Sequence, residues 1–149
     1  MAIARGAGTE IIRSIHLEDV DSTQAVLIFG VQHHIYTVLS VIAYVNAIQA
    51  AGNYFELSIL GYDSTAGTTA QTNMIVNEEM QLSKTFVWND KFSFNGHEPV
   101  DFSATLDSIA KQDAIADQGS SVAQKLRVVA EHASDSFEVT CTYIDQNNA

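Results

Sequence analysis

The turn signal at Asn95-Gly96 constrains this chain more than any other local feature. It follows the alternating run 91–94, and another aromatic alternation, 85–88, lies just before that run across Asn89-Asp90. Asn-Gly between apolar alternations is the strongest short-range hairpin signal. The pattern predicts that the chain reverses direction twice within 85–102, as the strands of a β-sandwich or barrel do.

Strand patterns along the rest of the chain predict an all-β fold. The run 34–46 is apolar on both of its faces, so we expect a central strand covered on both sides, with 54–62 as its antiparallel return. A stretch at 106–118 breaks the β period and reads equally as a short helix or a compact loop. Further strands are predicted at 9–20, 25–29, 74–82, 122–131 and 137–145. The predicted fold is an antiparallel β-sandwich, jelly-roll-like, with an extended N-terminal arm and at most one short helix.

The chain length and its first residues define the domain organisation. A chain of 149 residues is the usual size of one domain. Its first dozen residues are small and glycine-bearing, and such a segment orders only against a partner. We therefore predict an N-terminal arm at 1–12 and a single β-sandwich domain at 13–149.

Charge and hydropathy limit the classes of partner. The chain has 18 acidic and 7 basic residues, for a net charge of −11. Its Lys and Arg residues are scattered, whereas binding to nucleic acid requires clustered cations. No apolar stretch approaches the roughly 18 residues of a membrane-spanning helix, and the N-terminus lacks the apolar middle of a signal peptide. We expect neither nucleic acid nor membrane as a partner.

The one cysteine, Cys141, excludes an intrachain disulfide framework and any cysteine-based zinc site within one chain. Alternation places Cys141 on the same strand face as Phe137, Val139 and Tyr143. No feature of the sequence lowers the pKa of its thiol, so we interpret it as a buried, inert residue.

The sequence contains no strong pattern of catalytic or metal-binding residues. His33 and His34 point to opposite faces of a regular strand and cannot chelate one ion together. A metal site would need tertiary proximity between one of them and His97-Glu98, which would make the chain a cupin-like metal enzyme. The near pairs of carboxylates read as solvated acidic surface; they are Glu78-Glu79, Glu98 with Asp101, and Asp113 with Asp117. We predict no catalytic residue, no metal and no cofactor.

Aromatic side chains offer an alternative kind of site. At strand spacing most of them belong in the core, but Trp88 beside Asn89-Asp90, and Tyr62, are candidates for exposure. Exposed rings on one face are what a carbohydrate-binding module requires.

Five stretches follow one another in an order that resembles a known group of proteins. The order is a glycine-bearing arm, an apolar strand ending in Asn, its partner, the aromatic stretch and a closing strand: ARGAGTEII, IYTVLSVIAYVNA, YFELSILGYD, TFVWNDKFSFNGHEPVDF and FEVTCTYIDQ. This order is similar to that of small β-sandwich virion proteins of tailed bacteriophages, and most similar to capsid decoration, or cement, proteins.

The resemblance implies a non-enzymatic protein on the capsid exterior, assembled in the host cytoplasm. Its implied partners are the major capsid protein and further copies of itself, as a trimer or a dimer. The residues expected to make these contacts are Ala2, Ile3, Arg5, Ile11, Ile12 and Arg13. The alternative is a tail, neck or fibre module on the same fold with a carbohydrate-binding or attachment role.

Overall fold

A computed structural model of the chain describes residues 8–62, 70–98, 107–117 and 122–148. These residues form eleven strands and one helix. The strands are β1 Glu10–Val20, β2 Ala25–Phe29, β3 His34–Ala47, β4 Tyr54–Tyr62, β5 Ala70–Glu79, β6 Thr85–Trp88, β7 Phe92–Asn95, β8 His97–Glu98, β9 Val122–Ala123, β10 Lys125–Ala130 and β11 Ser136–Asn147; the helix is α1 Ile109–Asp117.

The strands form two main antiparallel sheets. The five-stranded sheet has the order β1-β11-β3, and both β6 and β7 pair with the free side of β3. The four-stranded sheet has the order β2-β10-β4-β5, and β8 pairs with β9 in a small third sheet. Consecutive strands pass repeatedly from one main sheet to the other, as they do in a jelly roll. The predicted all-β, jelly-roll-like sandwich with one short helix is confirmed.

The core lies between the two sheets and is built from alternating inward side chains. Phe137, Val139 and Cys141 on β11 are each at most 1% exposed and face Leu126 and Val128 of the opposite sheet, which are equally buried. Cys141 therefore lies on the face that the sequence pattern indicated.

The strand β3 departs from the prediction that it is covered on both sides. Val38 pairs with Tyr143 and Ser40 pairs with Thr142, so the extra residue, Leu39, forms a β-bulge. Past the bulge the inward positions shift by one residue. On the outer face Ile42 is 42% exposed, and that face is open to solvent.

The reversal predicted at Asn89-Asp90 is wrong, and the described residues 97–98 do not fold back on β7; residues 99–102 of the predicted third run lie outside the described residues. Strands β6 and β7 both run antiparallel to β3, with β6 beside 41–44 and β7 beside 35–38. They are therefore two segments of one interrupted strand. The chain then leaves the sheet at Gly96, and β8 pairs with β9 rather than with β7.

Gly96 serves a close backbone approach instead of a hairpin turn. It has no positive φ, which the type I′ turn requires. A Cβ built on Gly96 would lie 1.9 Å from the Val31 carbonyl oxygen, and one on Gly30 would lie 1.9 Å from the Gly96 carbonyl oxygen. The Gly96 amide donates to the His34 carbonyl at 2.8 Å, and the Gln124 amide donates to the Gly96 carbonyl at 2.8 Å. Only hydrogen fits at this crossing of backbones.

The start of the folded body differs from the predicted boundary at residue 12. Strand β1 begins at Glu10, which pairs with Gln146, because the register of β11 continues to this point. Residues 10–12 therefore belong to the five-stranded sheet. The remaining arm candidates, Ala2, Ile3 and Arg5, lie outside the described residues.

The close crossing at Gly96 gives a direct stability test. We expect Gly96→Ala to lower the free energy of unfolding by about 2–3 kcal/mol, because the new methyl group meets backbone that cannot retreat. Asn95→Ala, one residue earlier, should cost less than about 0.5 kcal/mol, since its side chain is exposed. Urea denaturation measures both. A larger loss for Asn95→Ala than for Gly96→Ala would restore the hairpin-turn interpretation.

Candidate functional site

The edge of the five-stranded sheet at β1 brings together three of the predicted contact residues. Ile11, Ile12 and Arg13 are consecutive on this strand, so their side chains alternate between the inner and outer faces. Ile12 points outward and is 72% exposed, directly opposite Ile144 of β11. Glu10, Ile11, Ile12 and Ile144 line a shallow depression of about 270 Å³. We call this depression with the adjacent β1 edge the β1 edge site.

Arg13 has a different environment from its neighbour Ile12. It points to the inner face, where its Nε donates to the Asp145 Oδ2 at 3.0 Å. The Asp145 side chain is 5% exposed, whereas that of Arg13 is 48% exposed. The guanidinium therefore ties β1 to β11 at this end of the sheet and keeps part of its surface in water.

Asp145 is the centre of a small buried polar cluster. The Nδ1–H of His34 donates to its Oδ1 at 2.7 Å, so the carboxylate accepts from strands on both of its sides. The rings of Tyr36 and Tyr143 pack edge to face beside it, with centroids 6.0 Å apart. Burial, and then the charge of Asp145, raise the pKa of Tyr36 to about 12. Burial raises the pKa of Tyr143 as well.

A second buried carboxylate, Asp135, has a structural role. It is 2% exposed and accepts hydrogen bonds from the Gln49 amide at 2.7 Å, the Asn53 side chain at 3.0 Å and the His132 amide at 2.9 Å. These contacts join the β3–β4 loop to the β10–β11 loop. All of these donors are neutral, and together they fix the orientation of the carboxylate between the two loops.

The other predicted site residues lie apart from the β1 edge site. Trp88 turns inward from β6 and packs partly buried against the core, while its neighbour Val87 is 53% exposed on the outer face. Its indole Nε1 is shielded from solvent and has no hydrogen-bond acceptor in the described part of the chain. Tyr62 ends β4, but its side chain lies outside the described residues, so its contact role stays a prediction.

The histidines considered for a metal site have separate roles. His33 lies in the turn before β3 with a φ of 63°, and His34 binds Asp145. Over the described ranges, no group of three or more His, Cys, Asp or Glu side chains could hold a metal ion. In the same ranges, no helix has the length and apolar character needed to cross a membrane.

The outer face of the four-stranded sheet is a feature that the sequence analysis missed. Lys125 and Arg127 are two residues apart on β10, so the side chains of both lie on this face. The ammonium of Lys125 lies 5.1 Å from the centre of the Phe29 ring, which is 60% exposed. Treating the cations as scattered concealed this pair, which the spacing Lys-x-Arg within a strand could have revealed.

Comparisons with solved structures give matches at low identity. A chain from Bacillus endospore appendages, described as a novel family of disulfide-linked pili, aligns with a TM-score of 0.43 and 12% identity over 100% of this chain and 97% of that chain. A chain of the IBDV viral particle aligns with a TM-score of 0.39 and 9% identity over 99% of this chain and 37% of that chain. A chain of the infectious bursal disease virus Gx strain aligns with a TM-score of 0.36 and 10% identity over 99% of this chain and 40% of that chain.

The present chain thus spans less than half the length of the two viral chains that it matches. No family model matches this sequence, and comparison with curated proteins gives no significant match. At these TM-scores and identities the matches do not indicate a function for this chain.

The charge of Asp145 should matter for stability. We expect Asp145→Asn to lower the free energy of unfolding by about 2 kcal/mol, because Arg13 and His34 lose a charged acceptor. Asp107→Asn is the matched control: Asp107 is 64% exposed and bonds Lys111 on the surface, so its loss should cost less than about 0.5 kcal/mol. Chemical denaturation at neutral pH compares the two, and equal losses would contradict a structural role for the Asp145 cluster.

Alkaline pH should destabilise the fold through groups that are buried in neutral form. Burial raises the pKa of the Cys141 thiol from 9.0 to about 12, so the unfolded chain releases this proton at lower pH than the folded chain does. The free energy of unfolding should therefore be constant with respect to this group below 9.0 and fall as pH rises toward 12. Tyr36 acts in the same direction between 10.0 and about 12.

Urea denaturation at a series of alkaline pH values measures this dependence. Cys141→Ala removes one of the buried groups with a raised pKa and should give a shallower decline than the unmodified chain. An identical decline in the two proteins would exclude the thiol as a contributor.

Proposed function

We propose that this chain is a non-enzymatic structural protein of a virion, a decoration protein that binds the outer capsid surface and stabilises the shell. The observation that carries the proposal is the β1 edge site. Exposed Ile12 lies on the edge strand β1, which continues the N-terminal segment, and its partner Ile144 lies beside it on β11. Contact with the partner therefore begins in that segment and continues along β1.

The chemistry of an edge strand supports this docking mode. An edge strand presents a row of backbone donors and acceptors on which another chain can add a strand. In the described sheet β1 occupies this position along its whole length, from Glu10 to Val20. Backbone pairing supplies affinity, and the apolar depression at Ile12 supplies specificity for an apolar side chain of the major capsid protein.

The geometry supports different roles for the members of the predicted contact set. Ile12 and the β1 backbone provide the contact surface, and the segment with Ala2, Ile3 and Arg5 extends it. Arg13 fixes the strand from inside through Asp145 and contributes as a positioning residue. Many copies bound to one shell add their weak contacts, and anything that binds the assembled shell shifts its equilibrium away from disassembly.

An aspartate at Ile12 tests the proposal. Shells assembled from the major capsid protein encoded beside this chain serve as the partner, and co-sedimentation measures binding. We expect Ile12→Asp to weaken binding about 10- to 100-fold, because one buried aliphatic side chain is worth about 1.5–3 kcal/mol. Ile109→Asp is the matched control, since Ile109 is equally exposed, at 77%, but lies on α1.

Equal binding by the two variants would remove the β1 edge site from the proposal. Deletion of 1–7 should leave β1 and the fold intact but abolish co-sedimentation. Neighbouring genes that encode neither a major capsid protein nor a maturation protease would contradict the assignment to a virion.

A further inference from the structure

The outer face of the four-stranded sheet has a composition unlike the rest of this acidic chain. We call it the basic face and define it by Val26, Phe29, Met74, Lys125 and Arg127. Strand pairing places these residues in two adjacent rows across the sheet. In the first row Lys125 pairs with Phe29. In the second row Arg127 pairs with Val26 on one side and with Ser58 on the other, and Ser58 pairs with Met74. The three apolar members are 40%, 60% and 46% exposed. Val26 and Phe29 are on β2, and Arg127 and Ser58 lie between them and Met74, so apolar and cationic side chains are mixed on this face.

Arg127 is held flat across the basic face in a fixed orientation. Its Nε donates to the Ser58 Oγ at 3.1 Å, its Nη1 to the Gln24 Oε1 at 2.6 Å and its Nη2 to the Thr72 Oγ1 at 2.7 Å. All three acceptors are neutral, and the ion pairs found in the described part of the chain involve neither Arg127 nor Lys125. Within the described residues no carboxylate pairs with the guanidinium, and along β4 the next acidic residue on this face is Glu56, one row further on.

The outer face of the five-stranded sheet has the opposite character. We call it the acidic face and define it by Glu18, Ile42, Tyr44, Val87 and Glu138. Ile42 pairs with Val87, and Tyr44 pairs with Glu138. Glu18 lies on β1, with its carboxylate 3.8 Å from the ring of His16. The three apolar members are 42%, 39% and 53% exposed. Within the described strands of this sheet Arg13 is the only Lys or Arg, and it faces inward to Asp145.

We propose that the basic face of one copy docks on the acidic face of a second copy of this chain. The charges fit, since Lys125 and Arg127 meet Glu18 and Glu138, and each face supplies three exposed apolar side chains to the centre of the contact. Aromatic residues, Met and Arg are the types enriched at such interfaces. The two faces are on opposite sides of the sandwich, so the contact is heterologous: copies associate front to back into a ring or an open stack.

This contact gives an interface to the trimer or dimer that the resemblance to decoration proteins implies, and in that respect it rests on the proposed function. It does not use the β1 edge site or the N-terminal segment. The two proposals therefore fail separately.

Two charge-reversed variants of the full chain test the contact without any capsid present. The first is Lys125→Glu with Arg127→Glu, and the second is Glu18→Lys with Glu138→Lys. Light scattering of the unmodified chain should show a mass above that of one chain, and association should weaken as the ionic strength rises from about 0.01 to about 1 M. Each variant alone should associate at least about tenfold more weakly, because like charges then face each other.

The decisive measurement is an equimolar mixture of the two variants. A reversed basic face on one variant then meets a reversed acidic face on the other, so association should return. Recovery in the mixture supports a front-to-back contact, and a mixture that stays monomeric overturns it. An unmodified chain that is monomeric at all concentrations also overturns it.

The first variant loses the Arg127 hydrogen bonds and is at risk of unfolding, so a second pair of variants leaves Arg127 unchanged. Lys125→Glu alone and Glu18→Lys alone repeat the mixing test, with circular dichroism as the check on folding. Lys111→Glu on α1 makes the same charge change away from both faces and should associate like the unmodified chain. Co-sedimentation with shells then separates the two proposals. If the variants no longer self-associate but still bind shells, the two faces are required for self-association and not for capsid binding.

Discussion

The pairing of β3 with β11 is the constraint on which the rest of the structure depends. It runs from Ser136 opposite Ala47 to Asn147 opposite His34, and every other strand of the five-stranded sheet is attached to one of these two strands. The bulge at Leu39 then decides which residues face the core. Without it, a period of two would carry Ile42 and Tyr44 inward and expose Val41 and Val45, which are 1% and 3% exposed. The one extra residue therefore places Val41 and Val45 in the core and Ile42 and Tyr44 on the outer face.

Prediction from the sequence is correct for features that depend on neighbouring residues and wrong for features that depend on contacts between distant segments. The strands at 25–29, 54–62 and 85–88 have the predicted bounds, because alternation and turn residues are local properties. The hairpin at Asn95-Gly96 is not formed, because Gly96 is needed where its backbone crosses Val31, far away in sequence. Nothing within the run 34–46 indicates the bulge at Leu39, which arises from its register with β11. The start of β1 at Glu10 agrees with the strand predicted at 9–20, so the local pattern was a better guide there than the arm boundary at residue 12.

The candidate site shows the same division between local and distant information. Ile12 is exposed, as a strand position beside an arm should be, and a local pattern was enough to select it. Arg13 was selected on equal grounds, yet Asp145, a residue 132 positions away, draws it inward. The net charge of −11 gave no indication that folding would place Lys125 and Arg127 side by side. Net charge describes long-range repulsion between whole molecules, whereas the alternation along one strand determines the charge of a face.

The Asp145 cluster also has a mechanical consequence for the proposed docking. A load on the N-terminal segment reaches the pairing with β11 at Gly8, whose amide donates to the Asn147 carbonyl, and pulls β1 along its axis against β11. In that geometry the backbone hydrogen bonds from Glu10 to Val20 are loaded together in shear, instead of opening one after another. The bond from Arg13 to Asp145 lies near the loaded end, and His34 connects the same carboxylate to β3. The load is therefore shared by three strands before it reaches the apolar core, which suits a protein whose proposed task is to hold neighbouring capsid subunits together.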